Sequence, residues 1–346
     1  MSIVRESLNT FPDLVELDAL HLMVIVDNEI DHMSSAPTEV GHTTQSSKLC
    51  KDKRNLDKEK STETTGIKDN VEHRILFDTG PQPTIFLENA RRLEIEFEKI
   101  EVIVLSHWHI DHSGGMLAAV DKIREARSKQ GLEPVMVDLH PDRPDQRGAC
   151  LKKPSAESHD LSEYVAWDKD PSFSELENAG GKVSQNDLAH TICDGFFGVS
   201  GLIPRKTSYE TGIPNHVRWS EKTKSWNSEP EIMDERYLVA RVKSRGVVVL
   251  TGCSHAGVIN VCQDVKRALL EGNSNASNNE LFFVMGGFHL AGASVETRIQ
   301  VINPSFMAPG HCSGWRAKSA LEHAMPGKVM SLGAGSEFSI NKQHGA

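Results

Sequence analysis

The run His107-Trp108-His109-Ile110-Asp111-His112 places four potential metal ligands within six residues, directly behind the β-branched stretch Glu101–Leu105. No other feature constrains the fold as tightly. Glu101–Leu105 reads as a buried strand, which leaves the imidazoles and the carboxylate on the polar loop Ser106–Gly115 at its end. A helix is expected next, over Met116–Arg127. Zinc takes nitrogen and oxygen donors at about 2.0–2.2 Å, so its ligands must crowd together, and a loop held by a rigid strand lets them do so. The composition points the same way, with 16 histidines against 3 tyrosines. A histidine-rich surface loop that binds nothing would suit a lone histidine better than four ordered ligands.

The same pattern recurs along the chain. Leu20–Asp27 and His73–Phe77 read as short apolar strands, the second turning into Asp78-Thr79-Gly80. Val247–Leu250 runs into Thr251–His255, and Leu281–Met285 runs into Gly286–His289. Phe196–Val199 and Tyr237–Val242 are further strands, while Thr84–Glu96 and Val258–Leu270 have helical spacing. Strands that end in histidine loops and are followed by helices indicate an α/β fold, with functional groups on loops positioned by a sheet. Residues 1–346 read as a single domain carrying two polar insertions. Met33–Asn70 is nearly empty of large apolar groups and is expected to be a mobile insertion. Pro141–Gly181 is polar and contains prolines, so it is expected to be a second elaboration rather than core.

Charge and cysteine usage narrow the function classes. The 38 basic and 48 acidic side chains give a net charge of −10, and no basic stripe suits nucleic acid. No stretch approaches the ~18 apolar residues of a membrane span, and the N-terminal residues do not resemble a signal peptide. The six cysteines contain no C-x-x-C pair. A reduced, cytoplasmic setting and a small-molecule substrate are therefore expected, without nucleic-acid or membrane partners.

The H-x-H-x-D-H run resembles the signature of the metallo-β-lactamase superfamily. The resemblance implies an α/β, four-layer αββα sandwich with a metal site along one edge of its two sheets. Asp78-Thr79-Gly80 resembles the upstream D-T-G element, whose aspartate supports the metal loop, and Pro309-Gly310-His311 resembles the late P-x-H element. Thr251-Gly252-Cys253-Ser254-His255-Ala256-Gly257, Gly286-Gly287-Phe288-His289-Leu290 and His311-Cys312-Ser313-Gly314 are similar to one branch in particular. That branch includes archaeal dihydropterin ribofuranosylaminobenzene-phosphate synthase and many hydrolase-like proteins. Asp27-Asn28 and Gly201-Leu202-Ile203-Pro204-Arg205 also resemble its motifs, although Leu202 stands where a glutamate is expected.

The resemblance implies two zinc ions per chain, with Mn2+ or Fe2+ as alternatives. His107, His109 and a third histidine would form the first site. His255 is the choice for that third ligand, and His190 is its rival. Asp111, His112 and His311 would form the second site. Cys253 reads as a further ligand, a substrate contact or simply a small buried side chain. Arg205 is a candidate contact for an anionic substrate group, and His289 for a leaving-group acid or substrate contact. Asp111 would orient the attacking water and accept its proton.

The function expected on this basis is di-zinc hydrolysis of a small-molecule ester, thioester, lactone or related bond, with solvent shared between the metals. The alternative is a metal-dependent transferase or lyase acting on a pyrophosphate-bearing, pterin-like substrate. A di-iron redox role fits less well, because that branch usually reads H-x-E-x-D-H and residue 109 is histidine. A non-catalytic binding module would have lost ligands, and the loop retains all four.

Overall fold

The computed structural model describes residues 9–27, 39–44, 61–151, 164–270, 280–290 and 303–343. The first strands are β1 (Glu16–Leu17), β2 (Ala19–Val26), β3 (Gly41–Thr44), β4 (Ser61–Lys68), β5 (Val71–Phe77), β6 (Ile100–Val104) and β7 (Met136–Leu139). They are followed by β8 (Gln146–Cys150), β9 (Tyr164–Ala166), β10 (Lys182–Gln185), β11 (His190–Ile192), β12 (Phe197–Val199), β13 (His216–Ser220) and β14 (Ser225–Ser228). The last are β15 (Tyr237–Val242), β16 (Gly246–Thr251), β17 (Leu281–Gly287), β18 (Phe306–Gly310) and β19 (Ser336–Asn341). The helices are α1 (Pro83–Arg92), the single turn α2 (Ile110–Ser113), α3 (Met116–Lys129), α4 (Phe173–Asn178), α5 (Val258–Val265) and α6 (Trp315–Ala324).

Two large sheets face each other. One has the order β10-β7-β6-β5-β4-β2-β19-β3, and the other runs β11-β12-β15-β16-β17-β18 with β1 paired to β15. Between them lies a dry layer that includes Leu20, Leu22, Ile75, Phe77, Val102 and Val104 from one sheet. Leu238, Ala240, Val248, Leu250, Phe283 and Met285 meet them from the other. The outer face of the first sheet is covered through Phe86, Ala90, Ala119, Val120 and Ile123 of α1 and α3. The outer face of the second is covered through Ile259, Val261, Ala317 and Leu321 of α5 and α6. The result is the expected αββα order. Each fully buried aliphatic or aromatic side chain contributes roughly 1.5–3 kcal/mol, so these three layers supply the main driving force for the sandwich.

The two polar segments depart from expectation in their described parts. Ser61–Lys68, assigned to the first insertion, is a central strand paired with both β2 and β5. Its Ser61, Thr62, Thr64 and Thr65 side chains are buried. β-branched threonine suits a pleated strand, so polarity was a poor guide here. Residues 33–38 and 45–60 of that segment lie outside the described residues. The second segment is not merely peripheral either. It supplies β8 and β9 to a third sheet of order β14-β13-β8-β9, and α4, whose Ser172 and Glu175 form a reciprocal capping box.

Candidate metal centre

The metal loop is built at the C-terminal end of β6, where the chain turns into α2. Three neighbours hold it. Asp78, at the end of β5, accepts the Ser106 backbone N–H through Oδ1 at 2.7 Å and the Ser106 hydroxyl through Oδ2 at 2.9 Å. Thr79 N–H and Oγ1 both donate to the His112 carbonyl, at 2.8 and 2.9 Å. Arg236 N–H donates to Ser106 O at 2.8 Å. The loop after β16 then closes on it. A Cβ on Gly252 would lie 2.2 Å from Ser106 Oγ, so only glycine allows the two loops to approach this closely.

Hydrogen bonding fixes which ring nitrogens are bare. The Ser106 hydroxyl gives its proton to Asp78, so its oxygen accepts from His107 Nδ1–H at 2.9 Å and His107 Nε2 keeps its lone pair. His216 Nδ1–H donates to the Glu229 carbonyl at 2.8 Å. His216 Nε2 must therefore accept from His109 Nε2–H at 3.1 Å, which leaves His109 Nδ1 bare. His112 Nδ1–H donates to Asp78 Oδ2 at 2.7 Å, which turns its Nε2 towards Cys253 Sγ. This is the outer support that orients histidine for a metal.

The bare nitrogens converge. His107 Nε2 lies 3.0 Å from His109 Nδ1 and 3.1 Å from His255 Nε2. Burial, reinforced by neighbouring histidines, holds all three imidazoles well below their ordinary pKa. His107 Nε2 and His109 Nδ1, neither carrying a hydrogen, present lone pairs to each other at 3.0 Å and repel, and the buried His255 Nε2 joins them at 3.1 Å from His107 Nε2. A cation at their meeting point removes the conflict, so the donor set fits a metal.

Next to it is a second cluster of Asp111, His112, Cys253 and His311. Cys253 Sγ is 3.1 Å from both His112 Nε2 and His311 Nε2, and Asp111 Oδ2 is 3.3 Å from His311 Nε2. Cys253 also groups with His107 and His255, which puts its sulfur between the two clusters. Burial pushes its thiol well above the ordinary value, so a cation is what would stabilise the thiolate. His112 and His311 beside it hold the Asp111 carboxyl down to about 2.

The candidates from sequence fall into two groups. His107, His109, Asp111, His112, His255, His311 and Cys253 come together. His289 stands beside them on the loop after β17, its ring centroid 4.8 Å from that of His255. His190 is elsewhere engaged, with Nε2 2.9 Å from Asp138 Oδ2 and Nδ1 2.9 Å from Leu188 O. Arg205, expected at an anionic substrate, donates instead to the His255 and Glu231 carbonyls. The first of those bonds ties Arg205 to the loop bearing His255.

Several supporting residues carried no signal in the sequence. His216 reaches His109 from 107 residues away, out of the third sheet. Arg147 of β8 is fully buried and pairs with Asp234 and Glu229 at 2.5 and 3.0 Å. Arg147 also donates to Trp108 O at 2.6 Å, and Asp234 accepts Trp108 N–H at 2.7 Å, so the two bracket the middle of the metal loop. Glu235 accepts the His255 and Ala256 N–H groups at 2.7 and 2.6 Å. Trp167 packs edge-on against His109 with centroids 5.2 Å apart. Alternation in His216-Val217-Arg218-Trp219 marks a two-faced strand, but no spacing links it to the loop.

The comparisons with known proteins agree with this geometry. Residues 73–180 match the β-lactamase superfamily domain. An uncharacterized protein of Methanocaldococcus jannaschii is 28% identical over 253 residues, covering 72% of this chain and 82% of its own. From the same organism, 7,8-dihydropterin-6-methyl-4-(β-D-ribofuranosyl)-aminobenzene-5'-phosphate synthase is 24% identical over 264 residues, covering 74% of this chain and 80% of its own. A crystal structure of a metal-dependent hydrolase of the β-lactamase superfamily superposes with a TM-score of 0.61 at 21% identity, over 92% of this chain and 98% of that one. The domain match thus reaches from β5 through the metal loop to α4, and the αββα sandwich built around it has the fold of that solved structure.

Proposed function

We propose that the chain is a binuclear metal-dependent hydrolase of a small molecule, with zinc as the metal its ligands suit best. The observation that carries this reading is the convergence of three buried imidazole nitrogens, two of them held without a hydrogen, beside a four-donor cluster. His107, His109 and His255 would hold one cation, and Asp111, His112 and His311 the other, with Cys253 Sγ placed to serve either. When bound, two such ions polarise a substrate oxygen and bring the pKa of a shared water towards 7.

The chain's own residues do the rest. Asp78, Ser106, His216 and Glu229 fix the ring tautomers, so no reorganisation is needed on binding. Asp111, ionised and 39% exposed, is a hydrogen-bond acceptor that orients a water at the mouth of the site. His289 stands where it can hand a proton to a leaving group. The bond cleaved is an ester, thioester, lactone or relative of these.

A second reading is supported by the synthase among the relatives: bond formation on a pyrophosphate-bearing, pterin-like substrate. One experiment separates them. Zinc-loaded protein is assayed against ester, thioester, lactone and phosphodiester substrates, with and without added pyrophosphate-bearing substrate. Hydrolysis that disappears on chelation and returns with zinc supports the first reading. Turnover seen only with the pyrophosphate compound replaces it by the second, and a protein that binds no metal overturns both.

A further inference from the structure

We propose that His73, Cys193 and Asp194 form a separate, structural site for a thiophilic divalent cation, zinc by preference, which clamps the two large sheets together. His73 lies near the start of β5, five residues before Asp78, so along the strand it is about 16 Å from the end that supports the metal loop. Its ring is fixed on two sides. Nδ1 is 2.9 and 3.1 Å from the two Glu101 oxygens, and the Phe196 ring packs edge-on with centroids 4.6 Å apart. A carboxylate only accepts, so Nδ1 carries the hydrogen and Nε2 is left with its lone pair.

That Nε2 is buried without a hydrogen-bond partner. It faces a second acceptor, Asp194 Oδ2, at 3.6 Å. His73, Glu101 and Cys193 each bring a ligand atom within 4.8 Å of the others. Carboxylate-held histidine with a bare second nitrogen beside a thiol and another carboxylate is the donor arrangement of a zinc site with an outer support.

The backbone is committed to this arrangement. Cys193 and Asp194 both adopt positive φ, 51° and 52°, a conformation that costs side-chain-bearing residues energy. Gly195 follows at φ 82°, where a Cβ would lie 2.1 Å from Asp13 O, and its carbonyl accepts Val15 N–H at 2.9 Å. The turn between β11 and β12 is thereby pinned with Asp194 facing His73 Nε2 and Cys193 within reach of the His73–Glu101 pair. Since β5 and β6 belong to one sheet and β11 and β12 to the other, a cation here ties the layers at the end away from the metal loop. The Asp194 carboxylate, 89% exposed, has the freedom to close on the ion. Binding releases the Cys193 proton to solvent and changes no oxidation state.

The test counts zinc in the full chain after loading and desalting, for the parent and for Cys193→Ser, Cys193→Ala and His73→Gln. Each variant is expected to hold about one zinc fewer per chain than the parent, while zinc-dependent hydrolysis is unchanged. In a His107→Ala/His109→Ala background, the zinc that Cys193→Ser removes is expected to remain, which separates this site from the metal loop. Equal zinc in the parent and both Cys193 variants overturns the proposal. If His73→Gln does not fold, the two cysteine variants still decide the matter.

Discussion

Replacing Arg147 with methionine tests how the metal loop is held. Arg147 and Asp234 are each about 1% exposed, paired at 2.5 Å, and both bonded to the Trp108 backbone. Two unit charges about 4 Å apart at an effective dielectric of 20 attract by roughly 4 kcal/mol. Removing one partner of such a pair costs about 3–5 kcal/mol, because the other is left buried and uncompensated. The loss has a pH signature. In the parent, burial opposes ionisation of Asp234, but Arg147 overrides it and holds the carboxyl below its ordinary 3.8. Its stabilisation is therefore present above that value and lost only as pH falls through the lower folded-state pKa. Without Arg147, only the Trp108 N–H and His140 still oppose burial, and the folded-state pKa rises. Asp234 then favours the folded state only at low pH and loses that contribution as pH increases. Urea melts at pH 5 and pH 8 should show a gap between parent and Arg147→Met that is wider at pH 8. A gap below about 1 kcal/mol, or one that does not change with pH, would refute the argument that this pair supports the loop as a buried ion pair.

The remaining predictions concern ligands, their supports and a second buried acid. His255→Ala should lose bound zinc and activity, whereas His190→Ala should keep both and cost only about 1–2 kcal/mol of stability, since Arg236 still pairs with Asp138; zinc analysis of the two variants reads this directly. Asp78→Ala leaves His112 Nδ1 and Ser106 without their acceptor, and zinc affinity measured by competition should fall about 10–100-fold. Burial raises Asp170 from 3.8 to about 6, only partly offset by its hydrogen bond from Ser113. Its contribution is thus complete below 3.8 and lost as pH rises through about 6, which at ~1.4 kcal/mol per pKa unit amounts to about 3 kcal/mol. Asp170→Asn should therefore gain about that much on the parent between pH 4 and pH 7 in urea melts; parallel profiles would reject the assignment.

Ordered ligands and apolar strands were legible in the sequence, because both depend on local spacing. The run of His107, His109, Asp111 and His112 behind Glu101–Leu105 marked the loop where the candidate ligands gather, and the β-branched strands with their following helices fixed the α/β class. Composition misled at Ser61–Lys68, where buried threonines make a central strand that reads as a polar tract. It misled again at residues 141–181, which carry Arg147 to the back of the metal loop.

What tertiary structure alone decided are the pairings between distant segments. Only the packing of β16 against the metal loop brings His255, rather than His190, up to His107 and puts Cys253 between the two clusters. Only the third sheet delivers His216 to His109, and only the meeting of the two large sheets brings His73 to Cys193 and Asp194. The physical reason is that spacing within one strand or turn sets which way a side chain projects. The partner it finds there is set by which surfaces bury together.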